Sequence, residues 1–166
     1  MNKKVIILGI LVIIWMGFIF LMSEMDATSS EDNSQTIIVN IIKQYDKITN
    51  AKPEIVLKHQ KKEFIENANH LFRKICHAGV YLVLSVLLLC FLIELKKFSL
   101  INCLFINIII CFLYACSDEY HQTFVSGRAG QFSDVIIDCF GALIGMIVIL
   151  LFYKMLFNKM TKSVKN

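Results

Sequence analysis

Four long apolar runs divide the chain. Val5–Met22 holds eighteen residues without a charge, and Phe98–Cys116 holds nineteen. Ile75–Ile93 is interrupted only by His77, and Val135–Tyr153 carries one acid, Asp138. A helix rises 1.5 Å per residue and needs about 20 mostly apolar residues to cross a hydrocarbon core. The pattern therefore predicts transmembrane helices at about 5–22, 75–93, 98–117 and 135–157. The first run outlasts the h-region of a secretory signal, about 7–15 residues, and no A-x-A-like site follows it. Met25-Asp26-Ala27 is a poor substitute, so a retained helix is expected.

Between the first two runs lies Ser23–Lys74, with eight acidic and eight basic residues. Ile37, Ile38, Ile41, Ile42, Tyr45 and Ile48 recur at i, i+3/i+4 spacing, which predicts an amphipathic helix after Ser34. Pro53 suits the first turn of a second helix. Ile55, Val56, Phe64, Ile65, Ala68, Leu71 and Phe72 would give that helix an apolar stripe running toward the second span. The expected fold is all-α. It is a polytopic membrane protein, a four-transmembrane-helix bundle with a helical extracytoplasmic segment between helices 1 and 2, forming one domain over residues 1–166.

Composition sharpens this picture without altering it. The chain is 57% apolar and 18% charged, with one proline, which excludes intrinsic disorder and Pro-rich architectures. The net charge of +4 is no nucleic-acid signal. Lys3, Lys4, Lys96, Lys97, Lys154, Lys159, Lys162 and Lys165 fall on one side of an alternately threaded chain, and an excess of lysine near helix ends marks the cytoplasmic face. That places both termini in the cytoplasm of a multi-pass plasma-membrane protein. The six cysteines all lie inside apolar runs with no C-x-x-C spacing, so neither a disulfide framework nor a zinc site is expected.

The charged minority is arranged more tellingly. Alternate threading puts the end of helix 1, the start of helix 2, the end of helix 3 and the start of helix 4 on one membrane face. Arg73, His77 and Tyr81 at i, i+4, i+8 share a face of helix 2, and Asp134 and Asp138 at i, i+4 share a face of helix 4. Asp118, Glu119 and Gln122 close helix 3, and a loop with Gly127, Arg128 and Gly130 follows. Carboxylates at membrane depth are costly, and they normally face the bundle interior and find partners. A structural alternative pairs Asp138 with Arg73 or bonds it to Tyr81. Acids outnumber arginines here, so either some stay protonated or a cation or substrate completes the site. Helix 4 continues through Gly141-Ala142-Leu143-Ile144-Gly145, a G-x-x-x-G stripe that lets another backbone approach. Packing within the bundle is the simpler use of it; a homodimer through Gly141 and Gly145 is the other.

These residues resemble the VanZ-like family of bacterial membrane proteins. Ser117-Asp118-Glu119-Tyr120-His121-Gln122, then Arg128, Asp134, Asp138 and Gly141–Gly145, is similar to the family's D-E-x-x-Q … R … D-x-x-x-(D/N)-x-x-G-x-x-x-G pattern. Arg73-Lys74-x-x-His77-x-x-x-Tyr81 looks like its basic-x-x-H-x-x-x-Y start of helix 2. The likeness spans most of residues 15–150. It implies a four-helix protein of the bacterial plasma membrane. The founding member is linked to teicoplanin resistance, and a wider proposal groups the family with membrane enzymes acting on lipid head groups or lipid-linked cell-wall intermediates. On that view His77, Asp118, Glu119, Gln122, Asp134 and Asp138 are the catalytic candidates, and Arg73, Tyr81 and Arg128 bind substrate.

The residues themselves fit a hydrolase or transferase. Arg73 or Arg128 would hold phosphate, Asp118 or Glu119 would be the general base, and His77 its acid/base partner. A divalent cation among the acids is compatible with this chemistry. A non-enzymatic envelope protein binding an antibiotic, a precursor or a partner protein is the alternative. Ion or proton movement fits least, because the ionisable groups sit at one end with no continuous polar path.

Overall fold

The computed structural model describes residues 2–24, 58–125, 128 and 130–165, together with the helical positions Asn40 and Gln44. Apart from Asn40 and Gln44, the amphipathic helix expected around Ile37–Ile48 lies outside the described residues, as does the helix start expected at Pro53. Among the described residues four long helices follow one another: α1 (Lys3–Ser23), α2 (Lys58–Glu94), α3 (Leu100–Gln122) and α4 (Phe132–Lys165). Each contains a stretch long and apolar enough to cross a membrane, at Lys3–Ser23, Leu71–Glu94, Leu100–Gln122 and Phe132–Met155. Among the described residues the architecture is an all-α membrane bundle, as expected.

Three boundaries differ from the hydropathy pattern, one being the end of α4, which runs to Lys165 rather than 157. The second helix starts well before residue 75, because the polar stretch from Lys58 is continuous with the second span. The third ends at Gln122 rather than near Ser117. Hydropathy drops at Ser117, but the helix persists because Asp118, Glu119 and Gln122 are buried against the bundle.

Local chemistry sets the helix ends. Asn2 Oδ1 accepts from the Lys4 N–H at 3.3 Å, and Ser99 Oγ accepts from the Asn102 N–H at 3.4 Å, each meeting one of the four unpaired donors of a first turn. The Asn2 amide also donates to Glu94 Oε1 at 3.1 Å, tying the start of α1 to the end of α2. Lys96 turns the chain between α2 and α3 at φ 55°, a left-handed cap that normally favours Gly or Asn.

Helix α2 is the hub and touches the other three. Its tightest partner is α4. A Cβ on Gly141 would collide with the Ala78 carbonyl, and one on Gly145 would come within 2.6 Å of the Leu82 carbonyl. The G-x-x-x-G stripe is thus filled by α2 of the same chain, and a homodimer through that stripe would require α2 to leave it. Helix α1 packs on α2 and, more lightly, on α3. The Trp15 indole donates to the Val80 carbonyl at 2.9 Å, and the Tyr114 hydroxyl to the Met16 carbonyl at 2.6 Å. Such bonds matter in a membrane bundle, because lipid supplies no hydrophobic force between helices. Among the described residues, Ile13, Leu21, Phe105, Ile109, Phe140 and Leu151 form part of a broad exposed apolar surface suited to lipid tails.

At mid-depth a polar node joins three helices. Asn107, fully buried, donates from Nδ2 to the Ser85 carbonyl at 2.8 Å. Ser85 Oγ lies 2.9 Å from Asn107 Oδ1 and 2.8 Å from the Ala142 carbonyl, and its one hydrogen serves either. Asn107→Leu removes the bonds that tie α3 to α2 here. It is expected to cost about 1–2 kcal/mol, read as a lower midpoint in thermal or detergent unfolding.

Candidate functional site

Helix phase brings the polar residues together. His77 stands six residues into the second span and Asp138 six residues into the fourth, each roughly 9 Å from the end of its span. Asp118 and Glu119 occupy the last turn of α3. One donor atom from each of His77, Asp118, Glu119 and Asp138 lies within 4.8 Å of the other three. His77 Nδ1 is 3.6 Å from Asp138 Oδ1, an ion-pair distance that is too long for a good hydrogen bond. Asp138 therefore faces His77. It makes no hydrogen bond to Tyr81 and no ion pair with Arg73 among the described residues.

The carboxylates are deeply placed and incompletely bonded. Asp138 is 0% exposed, and neither of its oxygens has a hydrogen-bond partner among the described residues. Asp118 Oδ2 accepts from the Gln122 amide at 3.4 Å, leaving Oδ1 free. Glu119 Oε2 accepts from the Gln131 N–H at 2.8 Å, leaving Oε1 free. The hydroxyls of Ser23 and Tyr81 are buried beside the cluster and also lack partners. Ser23, from the last turn of α1, borders Asp118, and Tyr81 lies within electrostatic reach of Asp118 and Asp138. Buried polar atoms in native proteins are nearly always satisfied, so this many in one place marks a site built for something else.

The remaining candidates ring the cluster. Asp134 is half-buried one turn nearer the membrane surface, close enough to influence His77 and Glu119 but outside the group of four. Arg73 and Arg128 are half-buried and near one another, and Arg128 lies within electrostatic reach of Asp118 and Glu119. Burial pushes the Arg128 guanidinium down from its ordinary value, and Arg73 adds to the push; arginine remains charged all the same. The Arg128 Nε is buried without a partner. His121, by contrast, stacks on Phe20 of α1, with ring centroids 4.4 Å apart.

Gly130 and Gln131, just before α4, lie against this end. Gly130 presses against the last turn of α3, where a Cβ would collide with the Glu119 carbonyl. That contact delivers the Gln131 N–H to the Glu119 carboxylate. Gly130→Ala is expected to destabilise the protein by about 1–3 kcal/mol, whereas Gly79→Ala, with nothing within 4 Å of the new Cβ, should be neutral or stabilising. Thermal unfolding of the two variants side by side checks the contrast.

The family model described as VanZ/LLP1 matches residues 8–153, which cover most of α1, the α2 and α3 spans, and the part of α4 that carries the cluster. The chain belongs to the VanZ-like family. No curated protein and no solved structure matches it. Within this VanZ-like bundle, sequence spacing located His77, Asp118, Glu119 and Asp138. It missed the Ser85–Asn107 node below them and the buried hydroxyl of Ser23 beside them. Lone serines and asparagines in uncharged runs carry no periodic signal. The one hint was that Ser85, Asn107 and Ala142 sit at matching depths in three spans.

Proposed function

We propose that this VanZ-like protein modifies a phosphate-bearing lipid head group, of a phospholipid or a lipid-linked cell-wall intermediate, at the outer face of a bacterial plasma membrane. One observation carries the reading. Three buried carboxylates with free oxygens and a histidine converge roughly 5–9 Å inside the ends of the spans, the depth of a head-group boundary, beside two arginines. Arginine suits phosphate oxygens, which supports Arg73 and Arg128 as the head-group clamp. The positive-inside pattern of the tail lysines supports cytoplasmic termini, with the cluster on the opposite face.

Asp138 orients His77, leaving the imidazole to act on the substrate. Glu119 or Asp118 takes the proton from the attacking hydroxyl or water. The new P–O bond forms as the old one breaks, and the leaving oxygen collects a proton from His77. An altered head group on a cell-wall intermediate would also account for a link to teicoplanin susceptibility.

The test uses the full chain reconstituted in vesicles of defined phospholipid, with products read by mass spectrometry, alongside lipid and cell-wall-precursor profiles of cells with and without the protein. Head-group exchange or release that requires the protein is the expected result. Unchanged profiles together with inert vesicles overturn the reading and leave a protein that only binds.

A further inference from the structure

We propose that His77, Asp118, Glu119 and Asp138 form a binding site for one first-row divalent cation. A cluster of acids alone would not carry this; the free atoms do. Four carboxylate oxygens, Asp118 Oδ1, Glu119 Oε1 and both of Asp138, are buried without a hydrogen-bond partner among the described residues, and all three side chains are more than nine-tenths buried. They come from two helices and point at the space beside an imidazole from a third. An ionised carboxylate cannot remain in such a place uncompensated.

The spacing suits coordination better than hydrogen bonding. The 3.6 Å between His77 Nδ1 and Asp138 Oδ1 overshoots a hydrogen bond. Two ligands bound at about 2.0–2.2 Å to a common ion at tetrahedral angles stand about 3.4 Å apart. Donor separations of up to 4.8 Å across the set leave all four within reach of a single ion after small side-chain shifts.

Ligand chemistry narrows the choice of ion. Magnesium and calcium favour oxygen alone, whereas one imidazole with carboxylates fits Mn²⁺, Fe²⁺ or Zn²⁺. Three carboxylates around a divalent ion leave one net negative charge, which the nearby Arg128 offsets. The surrounding atoms could also tune such a site. Gln122 and the Gln131 N–H each hold one oxygen of a ligating carboxylate, as outer partners of metal ligands commonly do. The use made of the ion, drawing a phosphate oxygen into the cluster, rests on the head-group reading, in which Asp118 Oδ2, Glu119 Oε2 and the second ring nitrogen of His77 stay outside the ligand set for proton transfer; its binding does not.

Full-length protein in detergent, stripped with chelator, is titrated with Mn²⁺ while free Mn²⁺ is followed by electron paramagnetic resonance. The expected result is one saturable Mn²⁺ per chain, with affinity reduced about tenfold or more by His77→Ala and by Asp138→Asn, and unchanged by Cys76→Ala. Absence of saturable binding, or equal binding by all variants, overturns the site. Should either variant fail to fold, the wild type still decides the matter. Bound Mn²⁺ must show nitrogen hyperfine coupling that changes on ¹⁵N-histidine labelling, and a signal without it overturns the assignment. Head-group turnover that persists in chelator overturns a role for the metal and leaves the lipid reading standing. Mn²⁺ binding by a protein inert on every lipid supports the site and overturns the lipid reading.

Discussion

Replacing Asp138 with Asn is expected to lower head-group turnover by about 10²–10⁴-fold while leaving the protein folded and inserted. The two halves of that outcome come from the same geometry. Asp138 sits at 0% exposure with both oxygens unbonded, so its charge is a burden on the fold. Neutral Asn keeps the shape and removes that burden, so the unfolding midpoint should hold or rise. A merely structural aspartate would behave the opposite way, losing stability first and activity only as a consequence. Asp118→Asn and His77→Ala should fall in activity by a similar factor. The measurement is paired: turnover in vesicles and thermal unfolding in detergent on the same preparations. Full activity in all three variants would sink the catalytic reading.

The bundle was legible because its spans are long. A run of eighteen or nineteen apolar residues has few other fates, and α1 to α4 lie where those runs predicted. What hydropathy cannot see is a helix that continues through polar residues. Hydropathy alone ends the third span near Ser117, yet the burial of Asp118, Glu119 and Gln122 carries the helix on through them and turns them inward. The stretch from Lys58 reads as a separate amphipathic element, but no breaker stands between it and the second span.

The site was legible to a comparable depth. Spacing of i, i+4 put Arg73, His77 and Tyr81 on one face and Asp134 with Asp138 on another, and alternate threading brought both to one end. Spacing could not choose partners. The structural alternative gave Asp138 to Arg73 by charge or to Tyr81 by bonding, whereas the packing of α2 on α4 gives it to His77. Arg73 lies one turn nearer the surface and belongs with Arg128 at the rim. Nor could spacing show that Asp134, on the same stripe as Asp138, stops short of the cluster.

That pairing depends on a glycine that bears no chemistry of its own. Gly141 lies three residues after Asp138, and the carbonyl it presses against belongs to Ala78, next to His77. Gly141→Ala adds a Cβ where the carbonyl, carbonyl carbon and Cα of Ala78 already stand, all of them helix backbone that no rotamer can move aside. The helices must separate by about 1 Å, and overpacking of this kind costs about 3 kcal/mol. Separation at that level also parts His77 from Asp138, and a 1 Å misplacement is worth about 10²-fold in rate. Gly141→Ala is therefore expected to lose both stability and turnover, and with them the single Mn²⁺. Gly17→Ala, with open space around the new Cβ, should lose none of the three. The signature differs from that of Asp138→Asn, where activity falls while stability holds. Turnover, unfolding midpoint and Mn²⁺ stoichiometry on the three proteins separate a positioning contact from a reacting group. Retention of turnover by Gly141→Ala would show that the cluster does not need α2 and α4 at contact distance.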